Sequence, residues 1–164
     1  MVPENLRENP HIAALGTIAE EANDSFGEIT IFINRADILE ACNLLKQRGF
    51  NRLSAVTAVD WYPSEPRFEV VYHLHLLPVS LTGGPHERLR LKCRLSGENP
   101  EIDSVTSVWS GADWYEREIF DLFGISFKNH PNLARILMPD YWEGHPLRKD
   151  YPIHGHKYDY AQEQ

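Results

Sequence analysis

Apolar positions along this chain fall into short blocks whose period changes several times. Between residues 5 and 22, Leu6, Ile12, Ala13, Leu15 and Ile18 recur loosely around Pro10 and Gly16, and predict one short helix. "GEITIFIN" (27–34) alternates about Ile29, Ile31 and Ile33, the pattern of a strand. "RADILEACNLLKQRGF" (35–50) shifts to a helical period, with Ile38, Leu39, Cys42 and Leu45 on one face and Gly49 as its stop. The period of two returns in "RLSAVTAVDWY" (52–62), "RFEVVYHLHLL" (67–77) and "ERLRLKCRL" (87–95), joined through Pro and Gly clusters at 63–66 and 82–85. A helix–strand–helix unit followed by a mostly antiparallel meander predicts an α+β layer architecture.

A short segment at 101–108 leads into "SGADWYEREIFDLFG", which reads as a signature helix of about three turns. Asp113 with Glu116 three residues on has the form of a capping box, and Gly124 supplies a left-handed stop. Tyr115, Ile119, Leu122 and Phe123 make the expected core stripe. Trp114 and Phe120 widen it beyond one packed face, which suits burial between two bodies. Beyond residue 125 the period is lost among prolines, aromatics and charges. The expectation is an α+β domain over 1–125 and an extended C-terminal arm over 126–164, too long for a core-less loop unless it packs on partners, its own polar and aromatic groups having no other means of burial.

Composition narrows the function classes. With 164 residues and 42% hydrophobic content, the chain can bury a genuine core. The net charge of −8, from 24 acidic and 16 basic residues, has the wrong sign for a phosphate backbone. Cys42 and Cys93 are far apart, without CxxC spacing, which favours a reducing compartment over a disulfide scaffold. The acidic N-terminus reads as neither a secretory signal nor a transit peptide, and no run approaches the ~20 apolar residues of a membrane span. Membrane association is then expected only through a partner.

Candidate chemistry is sparse. Glu118 and Asp121 stand three apart, so they could serve as the acid and base of a small hydrolase. Arg117, four before Asp121, would lower that carboxylate's pKa and favours a structural ion-pair network instead. His73/His75 and His154/His156 repeat a two-residue spacing, but nothing in the sequence brings the pairs together as a zinc site. Two cysteines cannot ligate an iron–sulfur cluster alone. "LTGGPHER" fits neither nucleotide-binding fingerprint.

The run "EREIFDLFGISFKNHPNLARILMPDYWEGHPLRKDYP" (116–152) is specific in another way. Its Glu116, Arg117, Glu118, Asp121, Gly124, His130, Pro131 and Arg135, followed by His145, Arg148 and Asp150 in "GHPLRKDYP", closely resemble the signature of the C subunit of respiratory complex I. This is the 30-kDa-type subunit family, called J in chloroplasts. "DWYPSEPRFEVVYHL" (60–74) is also similar, so the resemblance covers nearly the whole domain. It implies a non-catalytic structural and assembly subunit in the peripheral arm of a proton-translocating NADH:quinone oxidoreductase. The signature residues would then serve folding and docking, with Arg117 and Arg135 paired to carboxylates. The implied partners are the quinone-site D subunit, the cluster-bearing B and I subunits, and the NADH-side G subunit. FMN, iron–sulfur clusters, NADH and quinone would be held by those other subunits and none by this chain. The implied location is the cytoplasmic face of the bacterial inner membrane, reached indirectly through the complex. Related membrane-bound hydrogenases and F420-dependent dehydrogenases carry similar domains.

Overall fold

A computed structural model of the chain describes residues 1–78, 83–84 and 86–152. Where one N-terminal helix is expected, the chain instead forms α1 (Glu4–Arg7), α2 (Pro10–Leu15), a 3-10 turn (Gly16–Ile18) and a strand, β1 (Ala19–Ser25). Asn9 breaks the helix in two: its side-chain oxygen accepts from the N–H groups of His11 and Ile12 and caps α2, with Pro10 in the first turn. β1, sequence AEEANDS, carries no apolar alternation that would announce it, because it is an edge strand burying only Ala19 and Ala22. The predicted order then holds for β2 (Glu28–Ile33), α3 (Ile38–Gln47), β3 (Arg52–Asp60), β4 (Phe68–Leu76) and β5 (Glu87–Leu95), while α4 (Ala112–Phe123) is flanked by two short strands the pattern did not predict, β6 (Glu101–Asp103) and β7 (Ser126–Lys128).

The five-stranded sheet has the order β1-β2-β5-β4-β3, so β5 is its central strand. All neighbours are antiparallel except β2 and β5, which run parallel with Ile31 opposite Leu91. Strand alternation sends Phe68, Val70, Tyr72 and Leu74 of β4, and Leu89, Leu91, Cys93 and Leu95 of β5, to one face. There they join Ile38, Ala41, Cys42 and Leu45 of α3, and Ile119 of α4, in one core. Each fully buried side chain of this kind contributes about 1.5–3 kcal/mol, which is what fixes both helices to the sheet. Cys42 and Cys93 are free thiols inside this core, and burial pushes both thiols up.

β7 pairs in parallel with β6 in a second, two-stranded sheet, Ile102 opposite Phe127. The boundary drawn at residue 125 therefore falls inside a strand pair. His73 and His75 do share a strand face, whereas His154 and His156 lie outside the described residues.

Candidate functional site

α4 and the segment after it carry the signature residues, and three buried carboxyl groups organise them. The helix begins after Gly111 with no side-chain cap, so the capping box read from Asp113 and Glu116 does not form. Glu116 is fully buried and turns toward the β6–α4 connection. Its Oε1 accepts from the Val105 N–H at 2.8 Å and its Oε2 from the Ser104 hydroxyl at 2.6 Å. Burial dominates over these bonds and raises the Glu116 carboxyl from 4.5 to about 7. His130 closes the same pocket: its Nδ1 accepts from the Asn132 N–H, which leaves the proton on Nε2, 3.2 Å from the Asp113 Oδ1 and 3.8 Å from the Glu116 Oε2.

One turn further on, Asp121 is also fully buried, beneath the arm. Its Oδ2 accepts three successive backbone N–H groups, from Ile136 at 3.0 Å and from Leu137 and Met138 at 2.8 Å each. Its Oδ1 accepts from Arg135 at 2.7 Å, and Arg135 also donates to the Gly144 carbonyl. Burial would raise the Asp121 carboxyl, but these donors outweigh it and the net shift is downward. The arginine paired with Asp121 is thus Arg135, not the helical neighbour Arg117. Arg117 donates instead to the carbonyls of Ala134 and Arg135 and lies over the Trp114 ring at 5.3 Å. Sequence spacing suggested the (i, i+4) pair; the folded arm brings a better-placed guanidinium to the carboxylate.

Gly124 ends α4 in the left-handed region at φ 74°. A Cβ there would sit 2.6 Å from the His145 ring, so the imidazole rests directly on the glycine. His145 donates from Nδ1 to the Asp121 carbonyl at 2.9 Å and meets Phe120 edge-on. The Leu147 N–H donates to the Leu122 carbonyl.

The third group is Asp60, which the sequence reading did not single out. Arg67, also missed, donates to it from Nε at 2.9 Å and from Nη2 at 2.8 Å, and grips Asp150 of the arm with Nη1 at 2.8 Å and Nη2 at 2.7 Å. Asp60 further accepts from the N–H groups of Tyr62 and Lys149. The guanidinium is flanked by the Tyr62 and Phe68 rings, each at 4.9 Å, and Arg148 adds a second contact to Phe68 and to Asp150. Arg67 holds the Asp150 carboxyl well below the usual range. Hydrogen bonds to Asp150 and then Asp60 push Arg67 itself up. The available signal was Asp60 and Arg67 flanking one tight turn, where antiparallel pairing of Asp60 with Phe68 makes them neighbours.

Together these contacts anchor the arm between residues 129 and 152 to its own domain. The expectation that it satisfies its polar groups only against neighbours fails for this stretch, because Asp60 and Asp121 supply the missing acceptors. The hydrolase pair also dissolves. Asp121 is sealed and occupied by four donors, while Glu118 faces solvent. Pro131 is exposed beside His130. Among the described residues no group of three or more His, Cys, Asp or Glu is placed to hold a metal, and no helix is long and apolar enough to cross a membrane.

The outward surface of this assembly carries apolar side chains among its exposed charges. Among the described residues the large exposed hydrophobic side chains are Trp61, Tyr62, Trp114, Leu137, Tyr141 and Leu147, with only Met1 and Phe26 elsewhere. The six lie on the β3–β4 turn, α4 and the arm, the elements that the carboxylates tie together.

The family described as "Respiratory-chain NADH dehydrogenase, 30 Kd subunit" matches residues 31–157. The chain belongs to this family. It is 50% identical over 130 residues to the NADH-quinone oxidoreductase C subunit of Citrifermentans bemidjiense, covering 79% of this chain and 77% of that protein. To the second C subunit of Rhizobium etli it is 42% identical over 159 residues, 95% of this chain and 81% of the relative. Among solved structures, the trypsin-resistant fragment of Nqo5 superposes with a TM-score of 0.65 at 32% identity, over 74% of this chain and 94% of the fragment. A chain of the membrane-bound sulfane sulfur reductase, an archaeal respiratory membrane complex, shares the fold with a TM-score of 0.72 at 24% identity, over 86% of this chain and 82% of that one. The 30-kDa family thus accounts for the α+β fold.

Proposed function

We propose that this chain is a non-catalytic structural and assembly subunit of an NADH:quinone oxidoreductase, placed in the peripheral arm on the cytoplasmic face of the membrane. It supports passage of electrons from NADH through iron–sulfur clusters to quinone without binding those groups itself. The observation that carries this reading is that six of the eight large exposed apolar side chains among the described residues lie on α4, the arm and the β3–β4 turn tied to the arm. Large apolar side chains concentrated on a few adjoining elements suit a protein interface rather than a solvated surface. The buried carboxylates set its shape before a partner arrives, which lowers the ordering cost of association. The neighbours that fit are the quinone-site D subunit, the cluster-bearing B and I subunits, and the NADH-side G subunit.

The test is a Leu137→Asp/Leu147→Asp double variant in cells that make the complex. Both positions are exposed, so the variant folds and keeps its circular dichroism spectrum, yet is lost from the NADH-oxidising assembly on a native gel. Normal incorporation would overturn the proposal.

A further inference from the structure

The opposite face of the sheet carries a different surface. Alternation along the central strand β5 turns Arg88, Arg90, Lys92 and Arg94 away from the helices. Phe32 of β2 pairs beside Lys92, and Val71 of β4 faces Lys92 from the other side. Phe32 and Val71 are buried, yet both lie outside the core that the helices cover. What covers Phe32 is cationic: the Arg94 guanidinium stands 4.1 Å from the ring centroid and the Lys92 ammonium 5.7 Å. The long stems lie across apolar ground and lift their charged heads toward solvent.

Four carboxylates border this stripe, Glu20 beside Lys92 and Arg94 among them, and they leave Arg88 unmatched. Glu69 lies low under Lys92, its side chain 7% exposed. Glu28 takes Arg90. Glu21 reaches Arg94 at 3.4 Å with both partners well exposed, a weak pairing. Arg88 is exposed and has no ion-pair partner among the described residues. The cations register on the neighbouring histidines. His73 and His75 are both pushed down, first by burial and then by Arg90 and Arg88 respectively. In a chain of net charge −8, four cations on one strand face run against the overall balance, and like charges on one ladder repel.

We propose that this face docks an extended, acidic segment of a neighbouring polypeptide, with carboxylates at alternate positions meeting the cations of β5. Alternate residues on a strand are about 6.6 Å apart, and an extended partner segment has the same repeat. At one end an open groove is lined by Phe32, Asn34, Arg35, Lys92 and Arg94 and by Glu20, which accepts from the Asn34 amide at 3.2 Å, so an incoming carboxylate would sit among three cations beside one acid. This surface lies across the sheet from the α4–arm face and uses none of its residues, so the chain would bridge two neighbours.

Two measurements test this. With the purified full chain, fluorescence anisotropy follows a labelled peptide of alternating Glu and Val. Arg88→Glu/Arg94→Glu is expected to weaken its binding roughly tenfold, while Arg7→Glu/Lys128→Glu, the same charge change elsewhere, leaves it within roughly twofold. Equal loss in both variants, or tighter binding to phosphatidylglycerol vesicles or to duplex DNA than to the peptide, overturns the proposal. In the assembled complex, a photo-crosslinking residue at His75 should form an adduct with a segment rich in Asp and Glu. An adduct to a segment without them, or none, also overturns it. The peptide measurement needs no assembly, so it can fail while the α4–arm reading stands, and the reverse.

Discussion

Removing the Asp121 carboxylate should release residues 136–138 of the arm without unfolding the domain. Three successive N–H groups, at 2.8–3.0 Å, converge on its Oδ2, and Arg135 holds its Oδ1 at 2.7 Å, the carboxylate itself being fully buried. Hydrogen bonds to a charged group are worth about 1.5–3 kcal/mol each, and stranding one member of a buried pair costs about 3–5 kcal/mol. The other tethers hold residues 134–135 and 145–150, so the loss appears as local opening at 136–138 rather than global unfolding. Taking about 3 kcal/mol as the lower bound, the opening equilibrium rises about a hundredfold at about 1.36 kcal/mol per decade. Hydrogen exchange read by mass spectrometry should show this for Asp121→Ala at residues 136–138, with β4 and β5 still protected. Asp121→Asn keeps one acceptor oxygen and falls between. The carboxyl titrates below its ordinary 3.8, so the tether is present above that pH and is lost as acid carries the folded group through its lowered value. Wild-type exchange rates at 136–138 in Asp121→Ala would refute the reasoning.

Two further outcomes follow from the other buried groups. Folded Glu116 keeps its proton to about pH 7 whereas the unfolded group releases it near 4.5, so stabilisation present below 4.5 is lost as pH rises to 7. The decline is about 3 kcal/mol. Urea midpoints across that window should flatten in Glu116→Gln, and an unchanged slope counts against the assignment. Arg67→Ala leaves Asp60, its side chain 2% exposed, without its ion partner and should cost about 3–5 kcal/mol in thermal unfolding. Arg67→Lys cannot span both carboxylates bidentately and should recover only part, so full recovery would show that charge alone suffices.

The pre-assembled arm changes how the signature residues work. Asp121, Arg135, His145 and Asp150 spend polar atoms on the fold itself, while Trp114, Leu137, Tyr141 and Leu147 remain exposed. A partner then meets a shaped surface and need not order the chain first.

Periodicity in the sequence was enough for α3, the three meander strands and α4, because each buries one face and so repeats at 3.6 or 2 residues. It was silent on β1, whose edge position asks for no alternation, and on the parallel pairing of β2 with β5, since a strand's own residues do not encode its neighbour. Fixed spacings over 116–152 were enough to place the chain in its family and to mark Asp121, Gly124, Arg135 and Asp150 as a set. Only the tertiary structure decided which partner each one has. Asp121 lies next to Arg117 by helical spacing and beneath Arg135 in space, and Asp60 finds Asp150 through a guanidinium 83 residues before it. Local sequence sets the period of burial, whereas the partners of a buried charge are fixed by the long-range packing that removes water from around it.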